Sequence, residues 1–216
     1  PGYTHLQPAQ PVTAGFHLLA HGVAMLRDAR RFKAAYAAAD VSALGAGAIA
    51  GNTLGLAPEI AARELDLSGT FDNAMDAVSD RDFIADLLYA CALCSVHLSR
   101  LAEDVVLWTS AEFGFAQLSD AWSTGSSMMP QKRNPDLAEL IRGRSGPAIG
   151  DLVALLTTLK GLPLAYDRDL QEDKAGLFAS VDRTRDALGG MTHLIASLTF
   201  DRERMAAAAA EAGTWA

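Results

Sequence analysis

The apolar residues of this chain recur every three or four positions along most of its length, which is the period of an α-helix. Two neighbouring stripes open the series, one made of Phe16, Leu19, Val23 and Leu26, the other of Leu18, Gly22, Met25, Ala29, Phe32 and Tyr36. No segment of the sequence alternates between apolar and polar residues as a half-exposed strand would. The pattern predicts an all-α fold.

Capping residues indicate where the later helices begin. Ser79 and Asp82 have the spacing of a capping box and predict a helix over residues 79–114. Asn134 suits an N-cap and Pro135 the first helical position, so a helix is expected over residues 135–161. Gly146-Pro147 is expected to kink it.

Two further helices and one break complete the prediction. A helix is expected over about residues 173–198, and Asp201 is expected to cap a short Ala-rich helix after it. Residues 45–52 are too rich in glycine for a stable helix and predict a turn.

The expected helices are unusually long, about 40–50 Å at the α-helical rise. With 216 residues, 50% of them hydrophobic, the chain can bury one large core or two modest ones. Apolar stripes this broad suggest contact with more than one neighbour. We therefore expect an extended helical bundle that also packs against copies of itself.

Composition excludes several classes of partner. The net charge is −8 and no run of five basic residues occurs, which argues against nucleic acid as a partner. No stretch of 18 uncharged apolar residues predicts a membrane span. Cys91 and Cys94 share one helix face, so they are interpreted as buried reduced thiols rather than a redox pair. These features predict a cytoplasmic protein.

Residues 125–136 carry the densest set of reactive groups. They read Gly-Ser-Ser-Met-Met-Pro-Gln-Lys-Arg-Asn-Pro-Asp and lead directly into a helix start. A loop that brings Ser and Lys to a helix N-terminus can hold a carboxylate and move a proton beside it. The alternative is a polar surface loop with an ordinary capped helix behind it.

This loop resembles the signature loop of the fumarase/aspartase superfamily. Three further segments, residues 2–11, 72–83 and 162–174, resemble the argininosuccinate lyase family within it. Members of that family are about twice as long, so the chain is expected to be an internal fragment. Residues 1–200 would be the central helical-bundle domain, incomplete at its N-terminal side, and residues 201–216 the start of a C-terminal helical region.

The resemblance implies a reaction and an assembly. The reaction is the reversible anti β-elimination of argininosuccinate to fumarate and L-arginine, a step of arginine biosynthesis that needs no cofactor. The assembly is a homotetramer in which each active site is built from three subunits.

The resemblance also implies roles for residues of the loop. Ser126 would be the general base that removes the Cβ proton, with Ser127 as the nearest competitor. Lys132 and Asn134 would bind the carboxylate that gains charge in the transition state.

A histidine near the start of the chain completes the implied chemistry. His5 would pair with Glu139 and help to protonate the leaving nitrogen. Residues that the resemblance implies at the substrate are Thr4, Arg81, Tyr166, Gln171 and Lys174. Position 167 is Asp where the family pattern leads one to expect Asn.

The other four histidines are interpreted as structural because they fall within helical patterns. They are His17, His21, His97 and His193. We interpret the sequence as containing neither a paired-His motif nor a Cys/His cluster at ligand spacing, so no metal ion is expected.

Three alternatives stay open. The chain could belong to a superfamily lyase with another substrate, such as adenylosuccinate lyase, fumarase or aspartase, although residues 162–174 favour the arginine pathway. It could be a structural protein of the delta-crystallin kind, against which the retained Ser126, His5, Lys132 and Glu139 count. It could also be inert without the rest of the protein.

Overall fold

A computed structural model of the protein describes residues 1–129 and 131–211. Pro130 of the reactive loop and residues 212–216 of the expected C-terminal region lie outside the described residues. The α-helices of the described part are α1 Ala14–Ala38, α2 Pro58–Glu64, α3 Ala74–Ser79, α4 Asp82–Thr109, α5 Asp136–Leu159, α6 Asp173–Ser197 and α7 Arg202–Glu211. Short 3-10 helices span Asp120–Trp122 and Arg168–Glu172.

Extended structure within the described residues is limited to four pairs of two-residue strands. Three pairs are antiparallel: β1 Tyr3–Thr4 with β2 Gln7–Pro8, β5 Ala116–Gln117 with β8 Thr199–Phe200, and β6 Thr124–Gly125 with β7 Arg133–Asn134. The fourth, β3 Val41–Ser42 with β4 Gly69–Thr70, is parallel. Pairs this short build no extended sheet, so the all-α prediction is confirmed.

The capping box predicted at Ser79 is wrong. Ser79 ends α3 instead, and its hydroxyl donates to the backbone carbonyls of Met75 and Asp76, each at 3.0 Å. The carboxylate of Asp80 accepts the backbone N–H of Asp82 at 2.7 Å. Because Asp80 supplies the cap, α4 begins three residues later than predicted, and it ends at Thr109.

The later boundaries agree with prediction to within about two residues, the usual uncertainty of a helix end. Helix α5 begins at Asp136 because Asn134 pairs with Thr124 as part of β7. It runs on through Pro147. The predicted cap of α7 is confirmed, since Asp201 accepts the backbone N–H of Arg204 at 2.9 Å.

The Gly-rich segment at residues 45–52 forms turns, as predicted. Gly47 has φ 66°, in the left-handed region that favours glycine. A Cβ at this position would lie 2.5 Å from the carbonyl oxygen of Gly51, which is far inside van der Waals contact. A side chain at position 47 would therefore open the turn.

The chain divides into two compact units. Unit 1 comprises Pro1–Arg27, Cys94–Ser145 and Arg185–Ala216. Most of its buried apolar side chains come from α4, α5 and α6, among them Leu98, Leu101, Val105, Ile141, Met191 and Leu194. Tyr3 packs edge-on against Phe113, with ring centroids 5.5 Å apart. This contact anchors the β1–β2 hairpin on the segment that follows α4.

Unit 2 comprises Asp28–Leu93 and Gly146–Thr184. Its hydrophobic core centres on Ile84, Leu88 and Leu155, which come from α4 and α5. Cys91 of this unit and Cys94, the first α4 residue of unit 1, are buried and form no disulfide, as predicted. Burial raises the pKa of the Cys91 thiol, and a hydrogen bond with Thr184 offsets part of that rise.

Helix α4 is long and apolar enough to cross a membrane by length and composition. Half of its most apolar 18-residue window is nevertheless buried inside the protein, and Leu88, Ala90, Cys91, Cys94 and Leu98 are each at most 2% exposed. Such burial is that of a core helix.

One apolar stripe of α1 faces solvent. The exposed fractions are 65% for Phe16, 62% for Leu19, 44% for Val23 and 62% for Leu26. The second predicted stripe is only partly internal, since Tyr36 is 72% exposed. The buried face of the helix is formed instead by Ala24, Asp28 and Ala35.

Candidate active site

The reactive loop is a hairpin loop closed by β6 and β7. Thr124 lies opposite Asn134, and Gly125 lies opposite Arg133. The hydroxyl of Thr124 donates to the carboxylate of Asp136 at the start of α5. Arg133 forms an ion pair with Asp120. These contacts fix the base of the loop, beyond which lie the described residues 126–129, 131 and 132.

Ser126 and Ser127 differ in their surroundings. The Oγ atom of Ser126 accepts the backbone N–H groups of Met128 and Met129, each over a long 3.3 Å. Ser126 is half-buried, whereas Ser127 is exposed. Donors that point at an oxygen favour its negatively charged form, so this geometry suits Ser126 to releasing its proton. The same contacts also occur in ordinary serine turns that are purely structural.

The other predicted residues of this region lie near the loop. Lys132 is exposed at its end, and its backbone N–H donates to the carbonyl of Met129 at 2.9 Å. Asn134 is half-buried in β7. Glu139 is exposed in the first turn of α5. The pKa of Arg142 is raised chiefly by its hydrogen bond to Glu103, and the charge of Glu139 adds to that rise.

His5 occupies a strained turn between β1 and β2. His5 and Leu6 both have φ 56°, so they form the two central residues of a type I′ hairpin turn. Leucine is an unusual choice for this conformation, which normally takes Asn or Gly. Thr4 stands beside the turn, paired with Gln7. Strained turns held by packing are common at functional sites, and Tyr3 supplies that packing here.

Unit 1 contains an open cavity of about 850 Å³ at this hairpin. His5 and Leu6 line it together with residues of α1 and α4 that include His17, His21 and Asp104. None of the described residues of the Ser126 loop lines this cavity. No hydrogen bond or ion pair joins His5 to Glu139 within the described part of the chain. One copy of the chain therefore leaves the predicted His5–Glu139 pair unmade.

His17, His21 and Asp104 form a cluster inside the cavity that the sequence analysis did not predict. Nε2 of His17 lies 2.6 Å from Oδ2 of Asp104, and Nε2 of His21 lies 2.7 Å from the same oxygen. Burial raises the pKa of Asp104, but the hydrogen bonds and charges of His21 and His17 outweigh it and hold that pKa below its ordinary value. The sequence did hold a signal. His17 and His21 are four residues apart, so the interpretation that no paired histidines exist is wrong.

Two of the predicted substrate residues in unit 2, Tyr166 and Gln171, contact each other. Nε2 of Gln171 donates to the hydroxyl of Tyr166 at 2.8 Å. The backbone N–H of Tyr166 donates to the carbonyl of Ala48 at 3.2 Å, and Ala165 before it has φ 78°. This segment is therefore tied to the Gly-rich turn.

Asp173, to which sequence reasoning gave no role, organises the other two predicted residues. Its side chain is 4% exposed and accepts from Nε of Arg81 at 2.5 Å and from Nζ of Lys174 at 2.7 Å. Arg81 also donates to the carbonyl of Asp80 at 2.6 Å. The guanidinium of Arg81 is thus engaged within the protein. Asp167 has a buried oxygen, Oδ2, for which the described residues provide no hydrogen-bond partner.

The chain is similar in sequence to known lyases. The protein-family model described as a lyase matches residues 1–150. The argininosuccinate lyase of Symbiobacterium thermophilum is 58% identical over 208 residues, which are 96% of this chain and 45% of that protein. The argininosuccinate lyase of Frankia casuarinae is 56% identical over 97% of this chain and 45% of its own length. The chain thus spans about half the length of the curated relatives it matches.

A solved structure agrees in fold. The crystal structure of EDDS lyase in complex with formate superposes with a TM-score of 0.89 at 32% identity, over 97% of this chain and 41% of that one. The family match covers the β1–β2 hairpin, the reactive loop and the first part of α5. The chain belongs to the lyase family.

Proposed function

We propose that this chain is the central part of an argininosuccinate lyase, which cleaves argininosuccinate reversibly to fumarate and L-arginine by anti β-elimination. The observation that carries the proposal is the pair of backbone N–H groups at Oγ of Ser126, on a loop that ends in Lys132 and Asn134. The names of the relatives that are 58% and 56% identical support the same substrate.

The first half of the reaction takes a proton from the Cβ carbon beside a carboxylate. That proton is weakly acidic, so the base must be strong and the charge that develops on the carboxylate must be stabilised. Ser126 as the alkoxide takes the proton, and the N–H groups of Met128 and Met129 lower the cost of forming that alkoxide. Lys132 and Asn134 bind the carboxylate as it gains charge.

The second half breaks the bond between carbon and nitrogen. The electron pair of the Cβ–H bond becomes the new double bond of fumarate, and the electron pair of the C–N bond leaves with the guanidino nitrogen of arginine. That nitrogen takes up a proton from His5, directly or through water, while Glu139 positions the imidazole. Proton loss and proton gain balance, and no cofactor enters the scheme.

The arginine end of the substrate suits the groups of unit 2. A guanidinium carries five N–H donors and no acceptor. The hydroxyl of Tyr166 can accept one of these donors, and Gln171 and Lys174 lie within the same short segment. Arg81 supports this region through Asp173 and is the least direct of the proposed substrate residues.

We infer that the working protein is a homotetramer whose active sites combine segments of three subunits. The exposed stripe of Phe16, Leu19, Val23 and Leu26 is an apolar surface that a free monomer rarely keeps. The unmade His5–Glu139 pair fits the same assembly, because a neighbouring copy can supply the missing partner. Residues 1–200 would form the central domain of each cytoplasmic subunit, and residues 201–216 would begin the C-terminal region.

Two other functions stay as alternatives. A superfamily lyase with another substrate is favoured by one observation, the TM-score of 0.89 to EDDS lyase. A structural protein of the delta-crystallin kind is disfavoured by the retained loop, His5 and Glu139.

The test is a substrate panel with the full-length protein, followed by the ultraviolet absorbance of fumarate. Argininosuccinate should be cleaved at least about a hundredfold more efficiently than adenylosuccinate, malate or aspartate, because these three substrates lack the arginine portion that Gln171 and Lys174 are proposed to contact. Faster cleavage of another substrate would reassign the chain within the superfamily. Absence of turnover with every substrate, in a tetrameric preparation, would favour the structural alternative.

A further inference from the structure

Three side chains of unit 1 converge on one point in the cavity beside His5. The Nε2 atoms of His17 and His21 lie 2.6 and 2.7 Å from Oδ2 of Asp104. Available ligand atoms of the three residues lie within 4.8 Å of one another. Nothing in the elimination scheme uses any of these groups.

The backbone holds the three side chains in place. His17 and His21 are four residues apart on α1, which sets them one turn apart on a single face. Asp104 projects from α4. The ring of His17 also packs edge-on against Trp108, one turn along α4 from Asp104, with centroids 5.0 Å apart. Two rigid helices and an aromatic wall therefore fix the positions of the ligand atoms.

We propose that His17, His21 and Asp104 form a binding site for a divalent first-row transition-metal ion such as Zn²⁺ or Co²⁺, with the fourth coordination position open to the cavity. Two imidazoles and one carboxylate are the ligand set of many three-ligand zinc sites. Imidazole nitrogen selects against Mg²⁺ and Ca²⁺, which prefer oxygen.

The geometry requires only a small adjustment to admit the ion. Tetrahedral ligands at about 2.0–2.1 Å from zinc are about 3.3 Å from each other. The two nitrogen–oxygen distances of 2.6 and 2.7 Å would each open by about 0.6 Å as the ion replaces the protons that now bridge these atoms. Rotation of the two imidazoles and the carboxylate supplies such a change without moving a helix.

Access for the ion is open. The side chains of His17, His21 and Asp104 are 38%, 16% and 25% exposed, so the cluster is partly shielded but reachable from the cavity. The alternative is that the three side chains form a hydrogen-bonded cluster that only joins α1 to α4 and binds no ligand. That alternative predicts no metal affinity beyond that of scattered surface groups.

The test adds Co²⁺ to the full-length protein, freed of metal by dialysis against a chelator, and records the visible absorption of the ion. Wild type should bind one Co²⁺ per subunit with the intense bands of a tetrahedral nitrogen and oxygen site. Zn²⁺ should displace it, and Mg²⁺ in excess should not. Asp104→Asn and His21→Gln should each weaken Co²⁺ binding at least about a hundredfold, since loss of a direct ligand exceeds the 10–100-fold effect of outer partners.

His193→Gln is the matched control, because that ring stacks on Trp122 outside the cavity and should leave Co²⁺ affinity unchanged. Circular dichroism checks that each variant keeps its helix content, and His17→Gln replaces any variant that does not. Three results would overturn the proposal. They are no tetrahedral spectrum in wild type, equal affinity in Asp104→Asn, or a thiolate charge-transfer band showing that Cys91 or Cys94 holds the ion.

Discussion

The Nε atom of Arg81 donates to Oδ2 of Asp173 over 2.5 Å, and this pair joins the start of α4 to the start of α6 within unit 2. The side chain of Asp173 is 4% exposed and that of Arg81 is 16% exposed. If the ion pair is broken, water therefore has little access to solvate the charge that remains. Removing the charge of Asp173 leaves the mostly buried guanidinium of Arg81 without its ionic partner.

Asp173→Asn is therefore expected to lower the free energy of unfolding by about 3 kcal/mol. Urea denaturation followed by circular dichroism measures the change. Asp186→Asn is the control, because Asp186 faces Arg144 at 3.9 Å with both side chains about half exposed. The control should change stability by less than about 0.5 kcal/mol. Equal effects of the two substitutions would contradict the special role of Asp173.

The choice between Ser126 and Ser127 gives a second prediction. Ser126→Ala should lower kcat at least about a thousandfold, because it removes the group that takes the proton. Ser127→Ala should lower kcat less than about tenfold, because Ser127 is exposed and its neighbour holds the two N–H donors. Steady-state kinetics with argininosuccinate compares the two. A silent Ser126→Ala beside a damaging Ser127→Ala would reverse the assignment.

Sharing of the active site between subunits gives a third prediction. His5→Asn and Ser126→Ala should each be inactive, and a mixture that exchanges subunits should regain activity. A random hybrid should recover at most about a quarter of wild-type sites, since His5 and Ser126 are then drawn independently from two chains. Sedimentation verifies that hybrids form. Hybrids no more active than either parent would place both residues in a single-subunit site.

The Cys91 thiol gives a prediction about pH. Burial raises its pKa above 9.0, its ordinary value, so the native state keeps its proton at a pH where the unfolded state has released it. The stability that this group contributes is complete below pH 9.0 and is lost as the pH rises further. Wild type should therefore lose stability above that pH more steeply than Cys91→Ala.

Thermal melts of the two proteins across that range measure the difference. A second readout is labelling with a thiol reagent at pH 8, which should be slow in the native protein and rapid in urea. Parallel pH profiles for wild type and Cys91→Ala, or rapid labelling of the native protein, would show that the thiol is accessible to water.

The sequence predicted the long helices well because an apolar stripe every three or four residues has few other solutions. It failed at Ser79 because two capping residues stand side by side. Asp80 reaches the N–H of Asp82, whereas Ser79 hydrogen-bonds back to its own helix. Which of two adjacent caps is used depends on how the preceding segment turns, and here that segment is the unpredicted helix α3.

In the candidate site, too, local contacts could be predicted from the sequence and long-range contacts could not. Residues within one motif, such as Ser126 and its N–H donors, are brought together by local chain geometry that the motif encodes. Contacts over a long sequence separation are different. The pairing of Arg81 with Asp173 and the meeting of His17, His21 and Asp104 depend on how helices pack, and no pattern in a single segment reports that.

The turn that carries His5 bears on how this protein can change. A left-handed leucine costs about 1 kcal/mol, a noticeable share of the 5–15 kcal/mol that holds a typical domain together. Glycine at position 6 would relieve that cost and also loosen the backbone that aims the imidazole. Selection for thermal stability therefore favours glycine at position 6, whereas selection for turnover favours the existing leucine. A homologue adapted to high temperature should have glycine there.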